Sequence, residues 1–154
     1  MGNRAVITDG KKEFGIYVHW NGGPESVCAF LTYAKLSGVR SCDFDECYCF
    51  ARLAQIIGNF FGGTLSLGVG PLKKLDTNNG DNGTYVIDYN FNVVERLFDG
   101  GVPFSDVKMK KSDMIDFVKS IHKRMPKSID DEFDEKLLDN PPFVSVPNLI
   151  IEED

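Results

Sequence analysis

Nothing constrains this chain's fold more than the break at Asn21-Gly22-Gly23-Pro24. Before it, Phe14 to Trp20 (FGIYVHW) is dense in β-branched and aromatic residues and reads as a strand. After it, Pro24 suits the first position of a helix and Glu25 puts an acid in the first turn. Val27, Phe30, Leu31 and Ala34 then recur at helical spacing, and Gly38 is a natural stop. The pattern predicts a helix over Pro24 to Ser37, reached from a strand through an elbow of a few residues.

The rest of the chain is punctuated in the same manner. Ala5 to Thr8 reads as a strand, hairpinned to Phe14–Trp20 through Asp9-Gly10-Lys11-Lys12. Asp43 and Glu46 resemble a capping box, and Cys47, Phe50, Ala54, Ile57 and Phe61 stripe a second helix ended by Gly62-Gly63. Gly58 lies inside that helix at a cost of about 1 kcal/mol against Ala, which close approach of another backbone would explain. Thr64 to Val69 alternates as a half-buried strand, and residues 73–83 (KKLDTNNGDNG) form a turn-rich loop. Thr84–Asp88 and Val93–Phe98 read as a hairpin, closed by Gly100-Gly101. Ser112 suits the N-cap of a third helix striped by Met114, Val118, Ile121 and Met125. Residues 128–138 suit a short acidic helix, and the patch Leu149-Ile150-Ile151 suits an edge strand or a loose tail.

Two helices in succession, flanked by hairpins, exclude a regular βαβ repeat. Only the isolated strand around Leu65 to Val69 could need a parallel crossover. The expected fold class is α+β, with a mainly antiparallel sheet and helices packed on one face. With 154 residues, one domain is expected, an α+β unit over 1–127 followed by an acidic C-terminal extension over 128–154.

The formal charge of −6 is unevenly spread. Residues 128–154 hold nine acids and only Lys136 as a base, a balance of −8, which leaves +2 on residues 1–127. Just before them, Lys108, Lys110, Lys111, Lys119, Lys123, Arg124 and Lys127 face only Asp113 and Asp116. The simplest expectation is that the acidic end folds back and neutralises this basic stretch, or stays solvated. An acidic chain speaks against a nucleic-acid partner. Cys28, Cys42, Cys47 and Cys49 lack zinc-site spacing and are expected to be reduced. Asp76, Asn78, Asp81 and Asn82 miss the calcium-loop pattern, since position 80 is Gly and position 87 Ile. No metal and no cofactor are therefore expected. No apolar run spans a membrane and Met1 to Gly10 lacks the apolar core of a secretory signal, so a cytoplasmic protein is expected.

The elbow is the best candidate for binding. A helix that starts immediately after two glycines leaves its first amides unpaired, and the positive end of its dipole attracts anions. Asn21, Gly22, Gly23, Glu25 and Ser26 would frame such a site, with Trp20 stacking on a ring and Arg52 of the second helix meeting the anion. The opposing expectation is a tight turn capped from within, a core Trp20 and an internally paired Arg52. The elbow is similar over about six residues to the SGGxDS loop of the PP-loop ATP pyrophosphatases, departing at Asn21, Pro24 and Glu25. His19 would need a carboxylate to act as a base, and Glu25 is the nearest in sequence. No hydrolase motif is present, so no catalytic residue is expected.

Together, Asn3-Arg4-Ala5-Val6-Ile7-Thr8, His19-Trp20-Asn21-Gly22-Gly23, Ala51-Arg52-Leu53, Ile57 to Gly63 (IGNFFGG) and Asp81-Asn82-Gly83 resemble a family of small uncharacterised proteins of phages, prophages and mobile elements of Gram-positive bacteria. The resemblance covers about residues 3–98. It implies an accessory binding protein that counters a bacterial defence system by seizing a host defence protein or a nucleotide signal. One version holds an anionic, nucleotide-like ligand in the elbow. The alternatives are an anti-CRISPR-like inhibitor working through its acidic surface and a small nucleotide-processing enzyme using His19 and Glu25. A homo-oligomer is compatible with a thin sheet that keeps one apolar face.

Overall fold

The structure, a computed structural model, describes residues 2–41, 46–63, 67–98, 106–126 and 135–154. Its elements are β1 (Ala5–Thr8), β2 (Phe14–Val18), α1 (Pro24–Leu36), α2 (Glu46–Phe61), β3 (Leu67–Pro71), β4 (Thr84–Ile87), β5 (Val93–Leu97), β6 (Val107–Lys110), α3 (Lys111–Lys123) and β7 (Leu149–Glu152), with short 3-10 turns at Leu72–Lys74 and Glu135–Asp139. The capping-box residue Asp43, Cys42, Gly100-Gly101 and most of the proposed acidic helix lie outside the described residues.

The fold is α+β. Five strands form one sheet in the order β3-β2-β1-β4-β5, and β6 and β7 form a second, two-stranded sheet. The large sheet is antiparallel except where β1 runs parallel to β4, Ile7 opposite Tyr85. The crossover expected at Leu65–Val69 is therefore elsewhere: β3 pairs antiparallel with β2, and the long connection through α1, α2 and β3 returns the chain to β1. A second parallel pair, β6 with β7, joins segments far apart in sequence, and periodicity within either segment carries no trace of it.

The core lies between one face of the large sheet and the helices. Ala5, Ile7, Ile16, Val18, Tyr85, Ile87 and Val93 point from the strands into it. Helix α1 is buried nearly all round, from Pro24 through Ala34, because α2, α3 and β6 all pack against it. Helix α2 buries Cys49, Phe50, Leu53, Ile56, Ile57 and Phe61. Its stripe is displaced at the N-terminal end from the expected one, leaving Cys47 exposed. Cys49 is disulfide-bonded, which corrects the expectation of four reduced cysteines; Cys28 and Cys47 are free thiols.

The other sheet face is closed by the turn-rich loop. Val6, Thr8, Thr84 and Val86 are buried there, and Leu75 reaches within 3.1 Å of the Cβ position of Gly15. The Asn79 side chain holds the loop's curve, donating to the carbonyls of Asp76 and Gly83 and accepting from the amides of Asp81 and Gly83.

The described C-terminal residues belong to the body. Val144 and Val146 are buried, the Val144 N–H donates to Thr32 Oγ1 (3.1 Å), and Cys28 Sγ donates to the Val144 carbonyl (3.3 Å). The Val93 N–H donates to the Ser145 carbonyl (2.8 Å), tying this segment to the start of β5. Glu153 pairs with Lys111, and Asp154 accepts from the Ser112 amide. Lys119 pairs with Asp139 at 3.0 Å, so these acids do fold back on the basic helix.

Candidate functional site

The elbow forms where β2 must leave the sheet and α1 must enter the core. Asn21 turns the chain with a φ of +56°, a left-handed conformation that Asn tolerates. Gly22 then lies against β1. A Cβ there would come 2.6 Å from the Asn3 carbonyl oxygen and 2.7 Å from the Ala5 Cβ. The Gly22 N–H donates to the Asn3 carbonyl (2.8 Å), and the Gly22 carbonyl accepts from the Tyr85 hydroxyl (2.6 Å). The glycine serves close contact within the chain, not approach of a guest.

Gly23 is the N-cap of α1, with no side-chain cap, and Gly22, Gly23, Pro24 and Ser26 are all buried. The Glu25 carboxylate folds back beside Gly23, 2.7 Å from its Cβ position. An acid of the chain thus complements the helix's positive end, the place an external anion would take. Behind it, the Arg96 guanidinium stacks over Tyr85 (4.3 Å) and Phe98 (4.6 Å) and donates to the Asn82 carbonyl (2.8 Å). Burial raises the Tyr85 pKa despite Arg96, so the hydroxyl stays protonated and keeps its bond to Gly22. Burial lowers the Arg96 pKa, opposed by Tyr85 and Glu25.

Outside the elbow lies a polar cluster. Trp20 is 37% exposed, which departs from the core placement, and packs edge-on against His19 at 5.3 Å. His19 Nδ1 shares a hydrogen bond with the Tyr17 hydroxyl (2.9 Å). Its partner is thus a phenol, and Glu25 faces the Tyr85–Arg96 side, so no His19–Glu25 acid–base pair forms. Asp81 accepts from both the Arg4 backbone amide (3.0 Å) and Arg4 Nε (2.7 Å). The hydrogen bond from Arg4 holds the Asp81 carboxyl below its ordinary value. Asn82 donates to Asn3 Oδ1 and to the Arg4 carbonyl, locking the loop to β1.

Arg52 does not join this site. It is exposed on α2, 5.8 Å from the Tyr48 ring, whose centroid also lies 4.8 Å from Arg40. Arg40 follows the C-terminal end of α1, whereas the elbow sits at its N-terminal end. The 13-residue helix between them is about 20 Å long. The structure thus brings Trp20, Asn21, Gly22, Gly23, Glu25 and Ser26 together and leaves Arg52 apart.

A second grouping had no sequence signal beyond charge. The Tyr33 hydroxyl shares a hydrogen bond with His122 Nδ1 (2.8 Å), and His122 Nε2 lies 3.3 Å from Glu135. His122 and Glu135 border an open cavity of about 420 Å³ that is also lined by Lys119, Lys123, Lys136, Leu138 and Asp139. Burial pushes Tyr33 up to about 12, so its phenol is a hydrogen-bond donor rather than a nucleophile at neutral pH. Residues 89 positions apart meet only because α3 stacks on α1. Among the described residues no group of His, Cys, Asp and Glu could hold a metal ion, and no helix is long and apolar enough to cross a membrane.

Compared with known proteins, the chain matches no family profile, no curated protein and no solved structure.

Proposed function

We propose that this chain is a non-enzymatic accessory protein of the phage type, which counters a bacterial defence system in the host cytoplasm by contact with a host protein. The observation that carries this reading is the filled elbow. Asn3, Ala5 and Tyr85 close around Gly22, and the Glu25 carboxylate lies beside Gly23 in the space an anionic ligand would take. Large apolar side chains stay exposed instead: Trp20, Tyr89 (60%) and Val94 (56%). Exposed Trp and Tyr are the residues that most often anchor protein interfaces. The acidic-surface version has less support, since Asp139, Glu153 and Asp154 are engaged with α3. The test is phage plating on hosts that each carry one defence system, with and without this protein. Restored plating on one of them, reduced by Trp20→Ala or Tyr89→Ala, supports the reading; unchanged plating on every defended host refutes it.

A nucleotide-binding version keeps one specific observation, the cavity bordered by Lys119, Lys123 and Lys136. It predicts calorimetric heat with cyclic or ADP-ribose-type nucleotides, weakened by Lys123→Ala. No heat with any of them removes it.

A further inference from the structure

The two edges of the large sheet are built differently. At β5, Glu95 brings an exposed charge to the edge, the Val86/Ile87 bulge disrupts regular pairing, and Ser145 already accepts a bond from Val93. These are the usual guards of a sheet edge. At β3 the sequence is Leu67-Gly68-Val69-Gly70-Pro71, with no charge along the strand. Val69 is 52% exposed, and a Cβ on Gly70 would meet nothing within 4 Å among the described residues.

The hydrogen-bond phase of β3 is fixed. The Leu72 N–H donates to the Glu13 carbonyl (2.9 Å), so Glu13 and Leu72 form a bonded pair. Bonded pairs alternate in an antiparallel ladder, which makes Gly15–Gly70 and Tyr17–Gly68 the next ones. The N–H and C=O groups of Leu67 and Val69, and the Pro71 carbonyl, therefore point away from β2. Proline falls at a position where β2 asks for no N–H.

We infer that β3 pairs antiparallel with β3 of a second copy of this chain, about a two-fold axis at Val69. The strand is its own complement in that register. The two Val69 residues exchange both backbone hydrogen bonds, and each Leu67 N–H donates to the Pro71 carbonyl of the other copy. Gly68 falls opposite Gly70, so no side chain clashes on that face, while the two Val69 side chains meet on the other. A second copy supplies this neutral, glycine-spaced match without any further feature of a partner. A strand of five residues buries less than the ~1,600 Å² of a standard interface, so the dimer is weak and concentration-dependent.

Sedimentation equilibrium of the full chain up to about 1 mM tests this. Wild type shifts from monomer towards dimer, whereas Val69→Lys, which sets two charges against each other on the axis, stays monomeric with unchanged circular dichroism. In a Cys47→Ser background, mild oxidation crosslinks Val69→Cys into dimers, because paired Cα atoms about 5.5 Å apart admit a disulfide. Val94→Cys, of similar exposure on the other edge, does not crosslink. A wild type monomeric throughout, undiminished association of Val69→Lys, or equal crosslinking at both edges overturns the inference.

Discussion

Adding a single methyl group at Gly22 or at Gly58 tests the account of the elbow, because the structure gives the two changes opposite signs. Neither glycine has a φ between +20° and +160°, so alanine is not excluded by backbone conformation at either site. At Gly22 the new Cβ falls 2.6 Å from the Asn3 carbonyl oxygen, and ordinary contact begins near 3.4 Å. The elbow must move by the difference, roughly 0.8 Å, against main chain that cannot yield as a flexible side chain would. Overpacking of this kind costs about 1–3 kcal/mol, and straining the Gly22–Asn3 bond adds about 1 kcal/mol. The expected loss is about 2–4 kcal/mol, or a Tm lower by roughly 4–16 °C for a chain of this size. Among the described residues, the Cβ at Gly58 meets only Leu67 Cδ2, at 3.5 Å. No close backbone among them explains this glycine, and Gly58→Ala should stabilise by about 0.5–1 kcal/mol through helix propensity. Urea unfolding followed by circular dichroism reads both. A Gly22→Ala variant as stable as wild type would falsify the packed elbow and reopen it to ligands.

Acid stability should depend on the loop clamp. Asp81 titrates below its unfolded value in the folded chain, so its contribution is present above about pH 4 and lost as pH falls through the depressed value. Asp81→Asn should therefore flatten the acid limb of a stability–pH curve, and an unchanged limb counts against the clamp. At the alkaline end, burial raises Cys28 from 9.0 to about 12, so the unfolded chain ionises first and stability falls between those values. Cys28→Ala should make that decline shallower. Peptide mapping without reductant should find Cys49 bridged, Cys47 alkylated in the native protein and Cys28 alkylated only after unfolding. Val144→Ala should cost about 1–3 kcal/mol by thermal melt, as for a buried core residue; a loss within about 0.5 kcal/mol would mean the C-terminal segment is merely attached.

Much of the fold was legible along the chain. The boundaries of α1 followed from Pro24, the apolar spacing and Gly38, and the β4–β5 hairpin followed from two apolar runs around Tyr89-Asn90. The elbow was legible as geometry, but local sequence left open both an anion site and a turn packed from within. Local sequence places two glycines before a helix, yet it cannot say that Asn3 and Ala5 lie within 3 Å of where a Cβ would be. Trp20 had the composition of a core residue but falls after the last bonded position of β2, where the strand is already leaving the sheet.

Periodicity and punctuation act over a few residues, so the sequence alone determined β1 through β5, the helices α1 to α3, their order and the α+β class, but not β6. Pairings between distant segments were decided only by the tertiary structure. It made β1 and β4 the parallel pair, set β6 beside β7, brought Tyr33 to His122 and threaded Val144 alongside Cys28 and Thr32. It also filled the space before α1 with the chain's own Glu25. The physical reason is that a turn residue fixes its own dihedrals, whereas the occupant of the volume beside it is set by burial and hydrogen bonding summed over the whole chain.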